Sequence, residues 1–145
     1  MKNLLRLPDK LAVTVTRTMT VLEAVRVMLA ARVGAAAVVE GGRLQGIFTE
    51  RDIMERIVLD RRNAETTLVS EIMTANVTTI PAGTDPKEAV GMMVDEHFRH
   101  LPVVSAEGEV LGMLSTRHIM REHIKALEQS VEALTNYISA DGIGG

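Results

Sequence analysis

Two stretches of this sequence are near copies of one another, GIFTERDIM at residues 46–54 and GMLSTRHIM at residues 112–120. Both keep a glycine, a hydroxyl residue, an arginine, an isoleucine and a methionine at matching positions. They differ in charge where Asp52 of the first copy is matched by His118 of the second. The shared residues should therefore serve the fold, and the exchanged residue should serve a function that only one copy has.

The similarity between the two halves extends well beyond these motifs, which indicates an internal repeat. Upstream, Glu23-Ala24-Val25 recurs as Glu88-Ala89-Val90, and at the same spacing Val38-Val39 recurs as Val103-Val104. One residue is added after the paired valines, at a point where a β-hairpin turn tolerates a change of length. The repeat therefore predicts the same succession of elements twice.

Each copy carries signals for a short strand, a helix, a two-stranded hairpin and a second helix. The short strands are predicted at Val13–Val15 and Val77–Ile80, and the helices after them begin at Thr20-x-x-Glu23 and Asp85-Pro86-x-Glu88. One repeat alone would bury a thin core. We therefore predict an α+β fold of two β-α-β-β-α repeats packed about a pseudo-twofold axis, with a C-terminal amphipathic helix.

These patterns also predict the boundaries of the units along the chain. The polar stretch after the first repeat is interpreted as a linker. The predicted units are a first repeat at 8–60, a linker at 61–72, a second repeat at 73–124, a helical extension at 125–139 and a flexible tail at 140–145.

The last helix carries an apolar seam with alternating steps of four and three residues, typical of a coiled-coil heptad. One alternative is a helix packed on its own domain. Pairing with another chain is favoured because the seam runs past the second repeat, and we expect a homodimer. The seam consists of Met120, Ile124, Leu127, Val131, Leu134 and Ile138.

Composition excludes several classes of function. The net charge of −3 and the scarcity of aromatic residues, two Phe and one Tyr with no Trp, argue against nucleic-acid binding. The chain has no Cys, which rules out disulfides and thiol catalysis and fits a reducing compartment. The richest apolar stretch is broken by Arg32 and is too short to span a membrane. We therefore expect a cytoplasmic protein that binds neither membrane nor nucleic acid.

The motif G-x-x-[ST]-x-x-D, the string Arg99-His100-Leu101-Pro102-Val103-Val104 and the repeated β-α-β-β-α order together resemble a tandem pair of CBS (cystathionine β-synthase) domains, a Bateman module. The resemblance covers residues 10–124. Within this family, the chain is most similar to stand-alone bacterial CBS-pair proteins of signal transduction. It implies a regulatory module, not an enzyme, that binds AMP or another adenosine nucleotide (ADP, ATP or NAD) between the repeats and acts on an effector protein or a dimer.

The resemblance also implies the residues of the site. Asp52 would hold the ribose hydroxyls, and Arg99 with His100 would meet the phosphate. Their chemistry agrees, because a carboxylate accepts hydrogen bonds from a diol and a guanidinium offers a planar fork to phosphate oxygens. The expected nucleotide-binding residues are Ile47, Thr49, Arg51 and Asp52 from the first copy, with Met73, Val77, Thr78, Arg99 and His100 from the second.

The second cleft departs from this pattern in two respects. His118 stands where the ribose aspartate should be, and the positions that match the two basic residues of the first cleft are Gly34 and Ala35. Val13, Ser115 and His118 would line this cleft. The sequence therefore predicts one competent nucleotide site instead of two.

Simpler roles exist for the same residues. Asp52 and Thr49 could serve only to start a helix, and Arg99 with His100 could form a solvated helix end. His97 and His100 have a spacing that could bind a metal, but no third ligand is evident, so no metal site is predicted. No catalytic constellation is identifiable. The competing function is a structural dimerisation module whose clefts are vestigial.

Overall fold

The computed structural model describes residues 12–141, so residues 8–11 of the predicted first repeat and 142–145 of the predicted tail lie outside the described part. Each half contributes one three-stranded sheet and the helices packed beside it. The elements in order are β1 Thr14–Val15, α1 Val21–Ala31, β2 Ala35–Glu40, β3 Arg43–Thr49, α2 Glu50–Ile53 continuing as a π-helical stretch Met54–Leu59, α3 Val69–Ile72, β4 Ile80–Pro81, α4 Pro86–Asp95, β5 His100–Val104, β6 Val110–Ser115 and α5 Thr116–Asp141.

The two sheets have the same topology, which confirms the predicted repeat. In each, a short first strand runs parallel to the middle strand, and the middle strand pairs antiparallel with the third. Each hairpin also has an irregularity at the matching point, between Val38 and Val39 and between Val103 and Val104. The added residue falls in the turn after this point, as expected.

The first strand of each repeat is shorter than predicted. β1 starts one residue later than expected, and β4 retains only Ile80 from the predicted Val77–Ile80. β4 ends at Pro81, which lacks an N–H donor and is suited to a strand paired on one side only. The predicted strand residues before Ile80 therefore remain outside the ladder.

The predicted helix starts are present. The Thr20 hydroxyl accepts from the Glu23 N–H at 3.2 Å, and the Asp85 carboxylate accepts from the Lys87 N–H at 2.8 Å. These side chains satisfy first-turn donors that have no partner within the helix.

Each repeat has its own buried apolar cluster. The first joins the sheet to α1, α2 and α3 and contains Val15, Val21, Ala24, Met28, Ala36, Val38, Phe48, Ile57, Val69 and Ile72. The second is smaller and contains Ile80, Ala89, Met93, Leu101, Val103 and Leu114. The two repeats meet where the start of β3 lies against the β5–β6 turn, with the Leu44 N–H donating to the Gly108 carbonyl at 3.1 Å.

The segment 61–72 is fastened to the first repeat. The Val21 and Leu22 N–H groups at the start of α1 donate to the carbonyls of Thr67 at 2.8 Å and Ala64 at 3.0 Å. The Val69 N–H in turn donates to the Met19 carbonyl at 2.9 Å. The segment therefore satisfies donors at the start of α1 and adds α3 to the first core.

The last element is a single helix. α5 combines the second helix of repeat two with the predicted extension, and it spans 26 residues without a break. Its first turns lie beside β6 and α4, whereas every residue from His123 to Ser139 is exposed. Among the described residues, no helix has the length and apolar character needed to cross a membrane.

Candidate functional site

The first motif forms a tight strand-to-helix turn around a buried carboxylate. Asp52 is only 5% exposed. Its Oδ2 accepts from the Thr49 N–H at 3.0 Å and from the Thr49 hydroxyl at 3.1 Å, while the Asp52 N–H donates to that hydroxyl at 3.2 Å. Asp52 and Thr49 therefore form a reciprocal cap at the start of α2.

A second segment closes over this turn from the other side. The N–H and carbonyl groups of Ile47 and Thr74 pair with each other, both bonds at 2.9 Å. The Thr74 hydroxyl then donates to Asp52 Oδ1 at 2.9 Å. The chain leading into repeat two is thus held against the aspartate of repeat one, and Thr74 is a site residue that the motif alone did not indicate.

This close approach explains the glycine of the motif. A Cβ atom at Gly46 would lie 2.5 Å from the Thr74 carbonyl oxygen, and this backbone oxygen cannot move without breaking the pairing. We expect Gly46→Ala to destabilise the protein by about 1–3 kcal/mol, as overpacking does in a filled site. Urea unfolding measures this loss.

Gly91 provides the matched control for Gly46. It lies inside α4, and a Cβ atom there would have no heavy atom within 4 Å. Gly91→Ala should therefore stabilise the protein by roughly 0.5–1 kcal/mol, because alanine loses less backbone entropy in a helix. Equal unfolding midpoints for Gly46→Ala and the unmodified protein would contradict the packing explanation.

Arg56 also anchors the segment that follows the first repeat. Its Nη1 donates to the carbonyls of Ile72 at 2.9 Å and Met73 at 3.0 Å, at the end of α3. Met73 packs half-buried against the first core. Arg56 was not predicted as a site residue, since nothing in its sequence position shows that α3 ends beside it.

The basic side of the site lies at the start of β5. The Arg99 carbonyl accepts from the Thr116 N–H at 3.0 Å, as the Gly34 carbonyl accepts from the Glu50 N–H at the same distance in the first repeat. This equivalence confirms the alignment of Arg99 with Gly34. Within residues 12–141 the Arg99 guanidinium has no carboxylate partner, so it is available to an anion.

His100 is half-buried beside this arginine. Burial lowers its pKa below the ordinary value of 6.5, the Glu50 carboxylate opposes that shift, and the Arg99 charge adds to it. Glu50 is the first residue of α2 and belongs to the same strand-to-helix turn as Asp52. An acidic residue of the first repeat therefore interacts electrostatically with a basic residue of the second.

The lowered pKa of His100 predicts a pH dependence of stability. Because His100 binds a proton more readily in the unfolded chain than in the folded one, protonation of this side chain favours unfolding. The stability that comes from burying neutral His100 is therefore fully present above about pH 6.5, and it is lost as the pH falls through the lower pKa of the folded state. In urea unfolding at pH 8 and pH 5, His100→Gln should lose less stability on acidification than the unmodified protein. The same pH slope for both proteins would contradict the assignment.

The remaining predicted residues fall into two groups. Ile47 is buried on β3, and Val77 and Thr78 are half-buried in the segment before β4. The Arg51 side chain is 82% exposed and donates to Glu55 at 2.9 Å. The ion pair with Glu55 holds the Arg51 side chain on the surface, and its role in nucleotide binding stays a prediction.

The second cleft shares the turn geometry but not the charges. The Ser115 hydroxyl accepts from the His118 N–H at 3.1 Å, as Thr49 does from Asp52. At Gly34, where a cation would be needed, a Cβ atom would lie 2.8 Å from Glu50 Oε1. Val13 is half-buried, and its carbonyl accepts from the Ala37 N–H at 2.8 Å. An anion in the second cleft would meet a carboxylate beside Gly34.

The position of His97 in the sequence is explained by the backbone conformation at the end of α4. It adopts a left-handed conformation with φ of 58° after α4, as Arg32 does with φ of 57° at the end of α1. Both residues end a helix, so the histidine occupies a repeated structural position. Between residues 12 and 141, no cluster of three or more potential ligands is placed to hold a metal ion.

Comparison with known proteins gives consistent matches. The CBS domain family matches residues 6–59 and 69–125. The CBS domain-containing protein CBSCBSPB5 of Arabidopsis thaliana is 39% identical over 122 residues, which are 83% of this chain but 22% of that protein. The crystal structure of the CBS domain of NE2398 has a TM-score of 0.73 and 30% identity, covering 78% of this chain and 87% of that one. The cytosolic domain of the Mg²⁺ channel MgtE in complex with ATP has a TM-score of 0.64 and 30% identity, covering 76% and 44%.

Proposed function

Since this chain belongs to the CBS domain family, with one domain in each repeat, we propose that it is a regulatory module that binds an adenosine nucleotide between the repeats. AMP is the preferred ligand, with ADP, ATP and NAD as alternatives. The MgtE domain, which is 30% identical to this chain, was solved with ATP. That relative supports a nucleotide ligand in general. The residues of this chain support the choice of AMP over the other nucleotides.

The observation that carries the proposal is the position of Asp52. Its carboxylate has about four acceptor positions, of which three are used by Thr49 and Thr74. One position on Oδ1 remains, and a second is released if the Thr74 hydroxyl turns away. A ribose diol needs two acceptors, so we infer that the ligand replaces the Thr74 hydroxyl on Asp52.

The charges around the basic residues favour a ligand with few phosphates. Arg99 supplies a guanidinium that the described residues leave without a carboxylate partner, and His100 supplies a further donor. Glu50 lies close enough to act electrostatically on His100. Its negative charge disfavours each additional phosphate, which supports AMP over ATP.

Calorimetric titration with AMP tests the proposal. We expect one molecule per chain, because the second cleft offers His118 in place of the ribose acid and Glu50 beside Gly34. His118→Ala is the matched control, since it changes the equivalent position in the second cleft and should leave the stoichiometry unchanged. ADP and ATP should bind more weakly than AMP.

Two results would overturn this assignment. Two equal sites per chain would show that the second cleft is competent. Unchanged AMP binding in Asp52→Ala would show that the aspartate does not contact the ligand. A thermal-shift screen against AMP, ADP, ATP, NAD and guanine nucleotides reports the ligand class, because a ligand that binds the folded state raises its stability.

Regulation requires a second state and a partner. A nucleotide shifts an equilibrium only if it binds two states with different affinities. Release of Thr74 from Asp52 supplies such a difference, because Thr74 begins the segment that leads to β4. We propose that the change is transmitted to a homodimer or to an effector protein.

Exposed apolar side chains support a homodimer. Besides the seam on α5, large apolar residues are exposed on α1, on the π-helical stretch and on α4. They include Leu29, Met54, Val58, Leu59 and Val94. Exposed apolar side chains of this size are candidates for burial against a second copy of the chain.

The alternative is a structural dimerisation module with vestigial clefts. The reciprocal cap between Thr49 and Asp52 favours it, because the aspartate then has a structural role without a ligand. This alternative predicts that Asp52→Ala lowers stability and that no adenosine nucleotide shifts the unfolding temperature of the unmodified protein.

A further inference from the structure

The C-terminal half of α5 presents an apolar seam that the described part of the chain does not cover. From His123 to Ser139 every residue is exposed, and the seam residues are 45% to 64% exposed. Single exposed apolar residues are common, but a continuous seam along one helix marks an interaction surface. A helix with this pattern gains most of its stability from packing against a partner.

The seam has two kinds of side chain in strict alternation. Ile124, Val131 and Ile138 are β-branched and occupy one heptad position, which we label a. The other position, labelled d, holds unbranched or γ-branched residues, namely Met120, Leu127 and Leu134. β-Branched residues at a with leucine at d favour a parallel coiled coil of two helices. The reason is that β-branched side chains fit the packing geometry of the a layers and leucine fits that of the d layers.

The charges beside the seam distinguish the two possible orientations. His123 lies on one flank of the seam, at heptad position g, and Glu128 lies on the other flank, at position e, beside the groove formed by Ile124, Leu127 and Val131. In a parallel pair, position g of one chain faces the following e position of the other. His123 would then face Glu128 of the second copy, and the two groups can form a hydrogen bond or an ion pair.

An antiparallel pair would give a different result. The register that keeps the seam paired places Leu127 against Val131 of the second copy. That register brings the two Glu128 side chains of the dimer next to each other, and like charges at this position oppose pairing. The shapes of the seam residues and the charges beside the seam therefore both favour the parallel orientation.

We propose that a second copy of this chain docks along α5 as a parallel, in-register, two-stranded coiled coil over residues 120–138. The twofold axis then runs along the two helices, and both CBS pairs lie at the same end of the dimer. The proposal rests on the homodimer proposed above, but it does not depend on the nucleotide site.

Cysteine cross-linking tests the orientation directly, because the chain has no Cys of its own. In the parallel arrangement, Ile124→Cys and Leu134→Cys should each form a disulfide with its own copy under mild oxidation. In the antiparallel arrangement, position 124 faces position 134 of the other chain, so only a mixture of the two variants should cross-link. The two copies of residue 124, and likewise the two copies of residue 134, would then lie about 15 Å apart along the helix axis. A disulfide needs Cα atoms within about 7 Å.

Gln129→Cys is the matched control, since residue 129 lies on the side of α5 opposite the seam. It should cross-link at least about tenfold more slowly than Leu134→Cys, because its Cα atoms are separated by the full width of the pair. Cross-linking only in the mixture, an equal rate for Gln129→Cys, or a monomer in sedimentation would each overturn the proposal. AMP binding by the same variants separates the two ideas: a monomer that still binds AMP overturns only the coiled coil, and a cross-linked dimer that does not bind AMP overturns only the nucleotide site.

Discussion

Asp52→Ala is expected to weaken AMP binding by roughly 10- to 100-fold, the effect of removing hydrogen bonds to a charged acceptor. The same change should lower the free energy of unfolding by about 2–3 kcal/mol, because the Thr49 N–H loses its acceptor and the Thr74 hydroxyl loses its partner. Calorimetry measures the first effect and urea unfolding the second. Both effects are large because the carboxylate is buried.

Two further variants separate the effect on binding from the effect on folding. Asp52→Asn keeps an oxygen that can accept from Thr49 but removes the negative charge, so it should lose AMP affinity with a smaller loss of stability. Thr74→Val removes the hydroxyl that occupies Asp52 Oδ1 and leaves the carboxylate in place. It should bind AMP as tightly as the unmodified protein or up to about tenfold more tightly, because the ligand has one hydrogen bond fewer to displace.

The pattern across these variants distinguishes the two functions. A nucleotide site predicts that AMP affinity falls in Asp52→Ala and Asp52→Asn but not in Thr74→Val. A loss of affinity in Thr74→Val as large as that in Asp52→Ala would show that binding follows the stability of the turn. In that case the carboxylate would not be the ribose contact.

Leu127→Asp is expected to convert the dimer to a monomer, with a dissociation constant raised at least about 100-fold. Leu127 lies in the middle of the seam and is 54% exposed in the single chain. In the dimer, two carboxylates would be buried against each other, which costs several kcal/mol without a compensating partner. Sedimentation equilibrium measures the dissociation constant.

Gln129→Asp provides the control on the opposite side of the same helix. It adds the same charge two residues away, so it should leave the dimer intact. Both positions are exposed in the single chain, and neither variant should change the unfolding of the two cores in the monomer. Equal dissociation constants for Leu127→Asp and Gln129→Asp would show that the dimer does not use this seam.

Much of the fold could be predicted from the repeated pattern. The duplicated hairpin residues, the helix-capping residues Thr20 and Asp85, and the extra residue in the second turn all concern contacts between near neighbours in the chain. Such contacts depend on local geometry, and local geometry leaves a periodic or paired signal in the sequence. The same reasoning identified the heptad seam of α5, since a helix places its residues by a constant rotation.

The site could be predicted only in part. Thr49 and Asp52 were expected at the site from the family resemblance of the repeated motif, and the structure shows that these two residues cap α2 reciprocally. Thr74 and Arg56 were missed because their partners are distant in the chain, with Thr74 donating to Asp52 and Arg56 to the carbonyls of Ile72 and Met73. No spacing rule connects such residues before the chain is folded.

The sequence by itself determined that the chain is a tandem CBS pair and that its two clefts differ, because identity and charge at matching positions are properties of the residues alone. Only the tertiary structure decided what surrounds those charges. It placed the Thr74 hydroxyl on Asp52, the Glu50 carboxylate beside Gly34, and the seam of α5 away from both cores. Each of these depends on how two separate segments pack, and packing is settled by the competition of all contacts at once.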